Sequence, residues 1–260
     1  MPTILRPSRA LLRFSGADAQ KLLFDVVTGR LLAESGPAAW WALLSPQGKI
    51  QAEGLASYAD DAFWLDVDIT VADSFLKRMR MYKLRAAVEI ADLRESHAVG
   101  WDGSAAHRRV IGTREEAAGW GRDDDAYDRV RIAQGIAELG PDFPADVLFP
   151  HDIGMDLLGG IDFAKGCYVG QEVVSRMKHR GTARRRPVIV SGIAGTGDST
   201  IVTGGRDSGT VGRIVDGMAV AVVRLDRFDG GEVTVGGRPV TVALPEWATY
   251  SLGEASATEA

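Results

Sequence analysis

The stretch Lys165–Glu172, which reads Lys-Gly-Cys-Tyr-Val-Gly-Gln-Glu, constrains this chain more than any other part of its sequence. It contains the only cysteine in 260 residues, and that cysteine stands between two glycines. Residues 173–180 mix apolar and basic side chains in a way that suits a helix. We therefore predict a loop that leads into a helix near Gly170, with Cys167 close to the helix N-terminus.

Two interpretations of Cys167 follow from this position. The unpaired N–H groups at a helix N-terminus favour an anionic thiolate, and Lys165 adds a nearby positive charge. Together they lower the pKa of a thiol from about 8.5 toward neutrality. A lone cysteine is also commonly a small buried apolar group, and in that case Cys167 serves only packing. The flanking glycines and the lysine favour the reactive thiol.

Together with Arg176, the octet resembles the signature of the YgfZ family, whose members are folate-binding relatives of the glycine-cleavage T-protein that support iron–sulfur cluster assembly and repair. Further segments similar to this family lie at residues 45–50, 82–85, 131–136 and 156–163, so the resemblance covers most of the chain. It implies an α+β fold in which T-protein-like subdomains surround a central folate-binding hole and a small β-barrel follows them.

The resemblance also implies a site. The functional thiol is Cys167, with Lys165 beside it, and the cofactor is tetrahydrofolate or a 5-formyl or methylene derivative. The residues that it assigns to folate binding lie in or just after the octet: Gly166, Tyr168, Gly170, Gln171, Glu172 and Arg176. The implied partners are cluster-assembly proteins or iron–sulfur enzymes, including tRNA-modifying ones, and no resident metal is expected.

The chain departs from the T-protein pattern where the transfer chemistry takes place. T-proteins carry an Asp-Asp pair after a Gly-x-Ile step, and one of these carboxylates assists aminomethyl transfer. Here Gln51 and Ala52 stand in register with the pair, and neither is a general acid or base. Glu53 is adjacent, but a shift of one residue turns a strand side chain to the other face. Ala133 likewise replaces a folate-contacting glutamate, so a non-catalytic folate-binding protein is the favoured interpretation.

Local patterns in the first half alternate between strands and helices. Strands are predicted at residues 11–14, 40–44, 63–67 and 88–90. The sequences Ser15–Asp18 and Thr70–Asp73 predict capping boxes at the starts of two helices, the second of which turns Phe75, Leu76 and Met79 inward. Trp40 and Trp41 are expected in the core or in a pocket wall, with the core favoured. The acidic segment from Gly112 to Asp128 lacks periodicity and predicts a solvated loop, with a helix over residues 127–132.

The amino-acid composition of the chain changes after Arg186. Twelve of the 31 glycines lie between Gly192 and Gly237, interleaved with short runs rich in valine and isoleucine. These runs predict strands at 188–190, 220–223, 232–235 and 239–242, closed by glycine turns into a small barrel. The predicted domains are therefore a folate-binding region of two α+β subdomains, a barrel and a disordered tail, over residues 1–182, 183–250 and 251–260.

The amino-acid composition indicates the class of the protein and the compartment in which it is expected. A hydrophobic content of 45% and a charged content of 25% are typical of a soluble globular protein, and a net charge of −5 argues against global affinity for nucleic acid. One cysteine excludes an intramolecular disulfide and suits a reducing compartment. No apolar run approaches the length of a membrane span, and no signal peptide is evident, so we expect a cytoplasmic protein without membrane contact.

One basic segment departs from this acidic balance. Lys165–Arg186 contains seven Lys or Arg residues against one acid, Glu172. It is a solvated surface, an anion site for a folate glutamyl tail, or a weak contact for RNA or an acidic partner. The four histidines are scattered along the sequence without the spacing of metal ligands. A metal site or a nucleophile pair formed by Cys167 and His179 remains an alternative.

Three classes of function remain. The first is an accessory factor that binds tetrahydrofolate and uses Cys167 in maintaining iron–sulfur enzymes. The second is a folate-dependent aminomethyl or one-carbon transferase, against which Gln51 and Ala52 argue. The third is a thiol enzyme that acts through Cys167 on small electrophiles or disulfides.

Overall fold

A computed structural model of the chain describes residues 2–123, 125–181, 183–195, 197 and 199–253. In these residues three antiparallel sheets carry the architecture, with five α-helices around them. None of the described helices is long and apolar enough to cross a membrane.

The first sheet has five strands and forms the centre of the N-terminal half. In spatial order these are β3 (Ala39–Leu44), β4 (Ile50–Ala59), β5 (Ala62–Asp68), β2 (Arg9–Ser15) and β6 (Glu89–Asp92). Helices α1 (Ala19–Val26) and α2 (Ala72–Lys83) pack against it, and α2 buries the predicted stripe of Phe75, Leu76 and Met79. Trp40 and Trp41 are buried in this core, as expected.

The second sheet is small and joins the N-terminus to the middle of the chain. Its strands are β1 (Ile4–Leu5), β7 (His97–Trp101) and β8 (Val110–Thr113), followed by helices α3 (Arg114–Ala117) and α4 (Ala126–Ala133). Helix α3 lies inside the segment predicted to be a loop, so that prediction is wrong there. The reason is a capping box: Thr113 Oγ1 accepts from Glu116 N–H at 3.2 Å, and the Glu116 carboxylate accepts from Thr113 N–H at 2.7 Å.

The two capping boxes predicted for α1 and α2 are not formed. Neither helix has a side-chain hydrogen bond at its N-cap, which is Asp18 in α1 and Val71 in α2. The Asp18 carboxylate accepts instead from Ala87 N–H at 2.7 Å, and the Thr70 hydroxyl bonds to Asp68. A distant partner therefore takes the Asp18 carboxylate, and a neighbour two residues away takes the Thr70 hydroxyl.

The third sheet contains seven strands and closes almost into a barrel. In spatial order these are β14 (Arg238–Pro239), β13 (Val233–Val235), β10 (Thr200–Thr203), β11 (Arg206–Val211), β12 (Met218–Arg224), β9 (Arg185–Ser191) and β15 (Thr241–Ala243). The two edge strands, β14 and β15, are separated by one residue in sequence, so the chain itself draws the edges together. Six strands of the three sheets were absent from the sequence prediction, namely β1, β4, β7, β8, β10 and β11.

The C-terminal end of the described chain is held against the barrel. Gly253 N–H donates to the Leu225 carbonyl at 3.0 Å, so the segment predicted as a disordered tail is ordered at its start. The rest of that segment, residues 254–260, lies outside the described residues.

A cluster of buried charges joins the first two sheets, with Glu138 at its centre. The Glu138 carboxylate accepts three hydrogen bonds from largely buried side chains: Arg6 at 2.9 Å, Arg109 at 3.0 Å and Tyr127 at 2.5 Å. Burial raises the pKa of this carboxyl, but the positive charges of the surrounding arginines outweigh burial and hold it well below its usual range. This stabilisation is present above about pH 4.3 and is lost as the pH falls toward the lower folded-state pKa.

The cluster continues into the five-stranded sheet through Asp66. Arg109 Nε donates to this carboxylate at 2.7 Å, and Arg9 forms a second ion pair with it. Arg9 also lies 3.5 Å from the carboxylate of Glu53. Three arginines and three carboxylates are therefore buried together, and each charge depends on its neighbours to offset the loss of water.

We expect Glu138→Gln to lower the free energy of unfolding by about 3–5 kcal/mol, because it leaves buried arginines without a counter-charge. Urea unfolding followed by circular dichroism measures the loss. Glu115→Gln, at an exposed position in α3, is the control and should change stability by less than about 0.5 kcal/mol. Equal effects of the two substitutions would contradict this role for Glu138.

Candidate functional site

The cysteine of the octet lies on the protein surface beside a helix, as predicted. Helix α5 (Gln171–Arg180) begins directly after Gly170, and Cys167 precedes it by four residues in an exposed loop. Because the thiol is exposed, the interpretation of Cys167 as a packing residue is wrong. Its location leaves it accessible to a partner or a small molecule.

Two glycines fix the position of this loop against the β3–β4 hairpin. Gly170 has a φ of +81°, and a Cβ there would lie 2.7 Å from the Ser45 carbonyl oxygen. In the hairpin turn, Gly48 has a φ of +79°, and a Cβ there would lie 2.9 Å from Val173 of α5. The hairpin turn and the first turn of α5 thus approach more closely than side chains would allow, which explains the need for glycine at both places.

Tyr168 anchors the loop from the inside. Its ring is buried in the main hydrophobic core, next to a cysteine that is exposed. Burial raises the pKa of the Tyr168 hydroxyl, so the side chain stays neutral. The loop is therefore held on both sides of Cys167, by Tyr168 after it and by Lys165 before it.

Lys165 does not serve the thiol as the sequence suggested. Its ammonium group donates to three main-chain carbonyls at the end of α1 and beyond: Phe24 at 2.9 Å, Gly29 at 3.2 Å and Val27. Burial lowers the pKa of Lys165 to about 8. The prediction that Lys165 stabilises a thiolate is thus corrected: the residue caps the carbonyl end of α1, where a cation is favoured.

The remaining residues assigned to folate binding are spread over the cysteine loop and the first turns of α5. Gly166 is exposed and Gln171 is half-buried, while Glu172 and Arg176 form an exposed ion pair of 2.6 Å along α5. They line none of the four cavities whose walls consist of described residues alone. Their assignment as folate ligands stays a prediction.

The basic segment is only partly available as a surface. Lys165 is buried, and Arg186 forms a half-buried ion pair with Asp156 at 2.7 Å. Lys178 lies over the ring of Phe163, 3.6 Å from its centroid. His179 lies near the far end of α5, about 12 Å along the axis from its first residue, so a site shared by His179 and Cys167 is not formed.

The carboxylate position of T-proteins is occupied by groups that already have partners. Gln51 donates from Nε2 to Asp146 at 3.0 Å, while its buried Oε1 has no partner among the described residues. The Glu53 carboxylate accepts from Trp40 Nε1 at 2.8 Å and from Leu139 N–H at 3.2 Å. Burial raises the pKa of Glu53, and the nearby Arg9 offsets this only in part. Glu53 is a structural member of the buried cluster.

A cavity of about 450 Å³ lies where the two α+β parts and the barrel meet. The loops that line it come from distant parts of the sequence: residues 5–8, 68–71, 139–141, 144–145, Asp128 and Arg213. Sequence reasoning missed it, because no local pattern links these segments.

Asp68 is the most unusual group in the wall of this cavity. Its side chain is 3% exposed, and no described cation pairs with it. Oδ1 accepts from the N–H and the hydroxyl of Thr70, but Oδ2 has no hydrogen-bond partner among the described residues. Most of the remaining wall is apolar, from side chains such as Leu5, Ile69 and Pro141. A buried carboxylate oxygen is thus free to accept from a ligand N–H.

The fold and these features define a protein of the aminomethyltransferase fold without a free catalytic carboxylate pair. The structure is similar to that of glycine cleavage system aminomethyltransferase T from Bartonella henselae, with a TM-score of 0.74 over 93% of this chain and 84% of that chain. The sequence identity is 13%, so this likeness shows the fold alone. Residues 183–250 match the family model of the CAF17 C-terminal beta-barrel domain. The predicted fold class is confirmed.

Sequence relatives point to a more particular group. The chain is 31% identical over 211 residues to the mitochondrial iron-sulfur cluster assembly factor IBA57 homolog of Pyricularia oryzae, a match that covers 69% of this chain and 54% of that protein. It is 26% identical over 278 residues to mitochondrial IBA57 of Mus musculus, covering 85% and 77%. The chain thus spans about half the length of the fungal relative. These matches agree with the predicted resemblance only coarsely: the chain is similar to IBA57 proteins and carries a barrel of the CAF17 type, while its assignment to the YgfZ family stays a prediction.

The same relatives correct one expectation. We expected a cytoplasmic protein, whereas the similar proteins of Pyricularia oryzae, Mycosarcoma maydis and Mus musculus are all named as mitochondrial. The cytoplasmic prediction is therefore wrong. It was based on composition, on one cysteine and on the absence of an evident signal peptide or membrane span, and none of these features distinguishes one reducing compartment from another.

The contact between the hairpin and α5 can be tested with two glycines of similar backbone conformation. Gly170→Ala should destabilise the protein by about 2–4 kcal/mol, because it adds a clash with the Ser45 carbonyl to the strain of a left-handed residue. Gly159→Ala, at a φ of +76° with open space around it, should lose only about 1–2 kcal/mol. Guanidinium unfolding measures both, and equal losses would show that the close approach is unimportant.

Proposed function

We propose that this chain is an accessory factor for iron–sulfur cluster assembly or repair, of the YgfZ type, and that Cys167 is its functional thiol. The observation that carries this proposal is the exposure of the only cysteine on a loop fixed by Tyr168 and by the Gly170 contact. The related IBA57 proteins are named as iron-sulfur cluster assembly factors, which supports a role of this chain in cluster assembly. Iron–sulfur enzymes, including those that modify tRNA, and cluster-assembly proteins are the proposed partners.

The chemistry of a single thiol limits how Cys167 works. Iron–sulfur clusters are held by several thiolates, so one cysteine supplies one ligand and the partner or glutathione supplies the others. An exposed position suits such a shared arrangement, because the second molecule must reach the same iron or sulfur atoms. The proposal therefore describes transient contact with a cluster and not a resident metal site.

We further propose that tetrahydrofolate or its 5-formyl or methylene derivative binds in the cavity beside Asp68. The volume of about 450 Å³ lies in the range of small-molecule sites. The apolar wall suits a flat heteroaromatic ring, and Asp68 Oδ2 suits the N–H donors of a pterin. In this role folate serves as a bound cofactor or sensor.

Two alternatives receive less support. An aminomethyl transferase of the T-protein type needs a free carboxylate at the position of the Asp-Asp pair, whereas Gln51 is an amide there and Glu53 is enclosed by Trp40, Arg9 and Leu139. A thiol enzyme for small electrophiles needs a base or a cation beside its cysteine, and Lys165 is directed to main-chain carbonyls. The accessory role needs only an accessible thiol.

Folate binding can be measured by calorimetry with tetrahydrofolate and its 5-formyl derivative. We expect saturable binding, no turnover of an aminomethyl donor, and a loss of affinity of about tenfold or more in Asp68→Asn, which removes a charge-assisted hydrogen bond. Asp61→Asn, in the exposed β4–β5 turn, is the matched control and should bind normally. Unchanged affinity in Asp68→Asn would exclude this cavity, and transferase turnover would reject the accessory role.

The role of Cys167 can be tested in cells that lack the protein. Cys167→Ser should leave the melting temperature nearly unchanged, because the side chain is exposed, and should abolish recovery of iron–sulfur enzyme activity. Lys165→Ala should instead lower the melting temperature, because it removes the cap of α1. Full recovery of enzyme activity with Cys167→Ser would refute the functional thiol.

A further inference from the structure

The outer face of α2 and the turn after it form a basic surface with two exposed apolar side chains. Between Asp73 and Glu89 the sequence has five basic residues and no acid. We call this surface the α2 patch, and it consists of Lys77, Arg78, Arg80, Met81, Lys83, Leu84 and Arg85. It stands out on a chain whose net charge is −5.

The cations of the α2 patch are not bonded directly to carboxylates, although two of them, Lys77 and Arg80, share a recess with Asp73 and Asp92. None of the five has a side-chain ion pair or hydrogen bond with another described residue, in contrast to most arginines of the chain. The nearest acids, Asp73 and Asp92, are both paired with Arg94 at 2.6 Å. The positive charge of the patch is therefore available to an outside partner.

Leu84 projects from the α2 patch, among its basic side chains. Its side chain is 84% exposed, and its backbone has a φ of +43° and a ψ of −104°, a conformation that leucine rarely adopts. Met81, one helical turn earlier, is 62% exposed. A strained residue that presents a large apolar group to water is a common sign of a binding site. Neither side chain contributes to the core of the described chain.

A recess borders the patch on one side. It has a volume of about 500 Å³ and lies between α2 and the segment after β6. Its wall contains the cations Lys77, Arg80 and Arg94, the carboxylates Asp73 and Asp92, and the apolar Leu76 and Met81. The surface thus combines a projecting leucine, an adjacent methionine, a concave border and a surrounding set of cations. This is the arrangement of a protein contact with an apolar centre and a charged rim.

Membranes and RNA fit the patch less well. A helix that lies in a membrane surface inserts an apolar face, but the apolar face of α2 is already buried in the protein through Phe75, Leu76 and Met79. RNA is bound through phosphate contacts and through stacking on exposed aromatic rings. An exposed leucine and methionine contribute to neither.

We propose that the α2 patch docks an acidic surface of a partner protein, with Leu84 inserted into an apolar pocket on that partner. The cations supply attraction and orientation, while the fixed backbone of Leu84 presents an anchor that loses little freedom on binding. This inference concerns a surface separate from Cys167 and does not depend on the folate or cluster chemistry proposed above.

The test uses the full chain in cells, with a photo-crosslinking amino acid at position 81. We expect a discrete adduct with one protein, crosslinked within an acidic segment. The double substitution Arg80→Glu with Lys83→Glu should reduce the yield at least tenfold, and so should Leu84→Ser. Arg122→Glu with Arg184→Glu, which changes the net charge equally at two exposed positions elsewhere, should leave the yield unchanged.

A reciprocal exchange distinguishes docking from chance capture. Replacing the crosslinked acids of the partner by lysine should restore the adduct to the Arg80→Glu and Lys83→Glu chain. All variants should keep the melting temperature of the parent within about 2 °C, since these positions are on the surface. An adduct with RNA or lipid, an adduct insensitive to the charge reversal, or no adduct from the folded chain would overturn the proposal. The adduct should persist in Cys167→Ser. A failure of the docking proposal can therefore be distinguished from a failure of the proposal that Cys167 is the functional thiol.

Discussion

The buried carboxylate of Glu138 holds together parts of the chain that no local interaction connects. Arg6 reaches it from the N-terminus, Arg109 from the second sheet, and Tyr127 from α4. Each arginine would be unfavourable in an apolar interior by itself, and each depends on the shared carboxylates. Charge pairing therefore fixes the relative position of the first two sheets together with the apolar packing between them.

A second set of buried charges connects the Glu138 cluster to the barrel. Arg131 pairs with Asp142 at 2.5 Å, and Asp142 in turn accepts from the backbone N–H groups of Glu138 and Arg213. The cavity at the meeting point of the subdomains lies beside these contacts. Its walls keep their spacing because the charges behind them are mutually constrained. Asp68 forms no ion pair with a described residue, unlike Glu53, Asp66 and Glu138 of the buried cluster.

Elements that depend on local signals were predicted correctly from the sequence. The prediction was wrong where contacts with distant residues determine the position of a side chain. The stripe of α2 and the glycine before α5 follow from periodicity and backbone conformation, and both were predicted. Lys165 was assigned to the thiol because the two are close in sequence, yet three carbonyls at the end of α1 hold it. The cavity was missed for the same reason. The N-cap residue of α1 shows the limit most clearly, since Asp18 bonds to Ala87, 69 residues away.

Helix α1 links the two surfaces that matter most for function. Its carbonyl end is capped by Lys165, which directly precedes the cysteine loop, and its side packs against α2, whose outer face carries the basic patch. The loop is also fixed by Tyr168 in the core and by Gly170 against the hairpin. A partner held on α2 would therefore have a defined orientation relative to the thiol, without any movement of the chain. Such a fixed geometry suits a thiol that supplies one ligand to a group shared with another molecule, because the remaining ligands must come from a partner that is already in place.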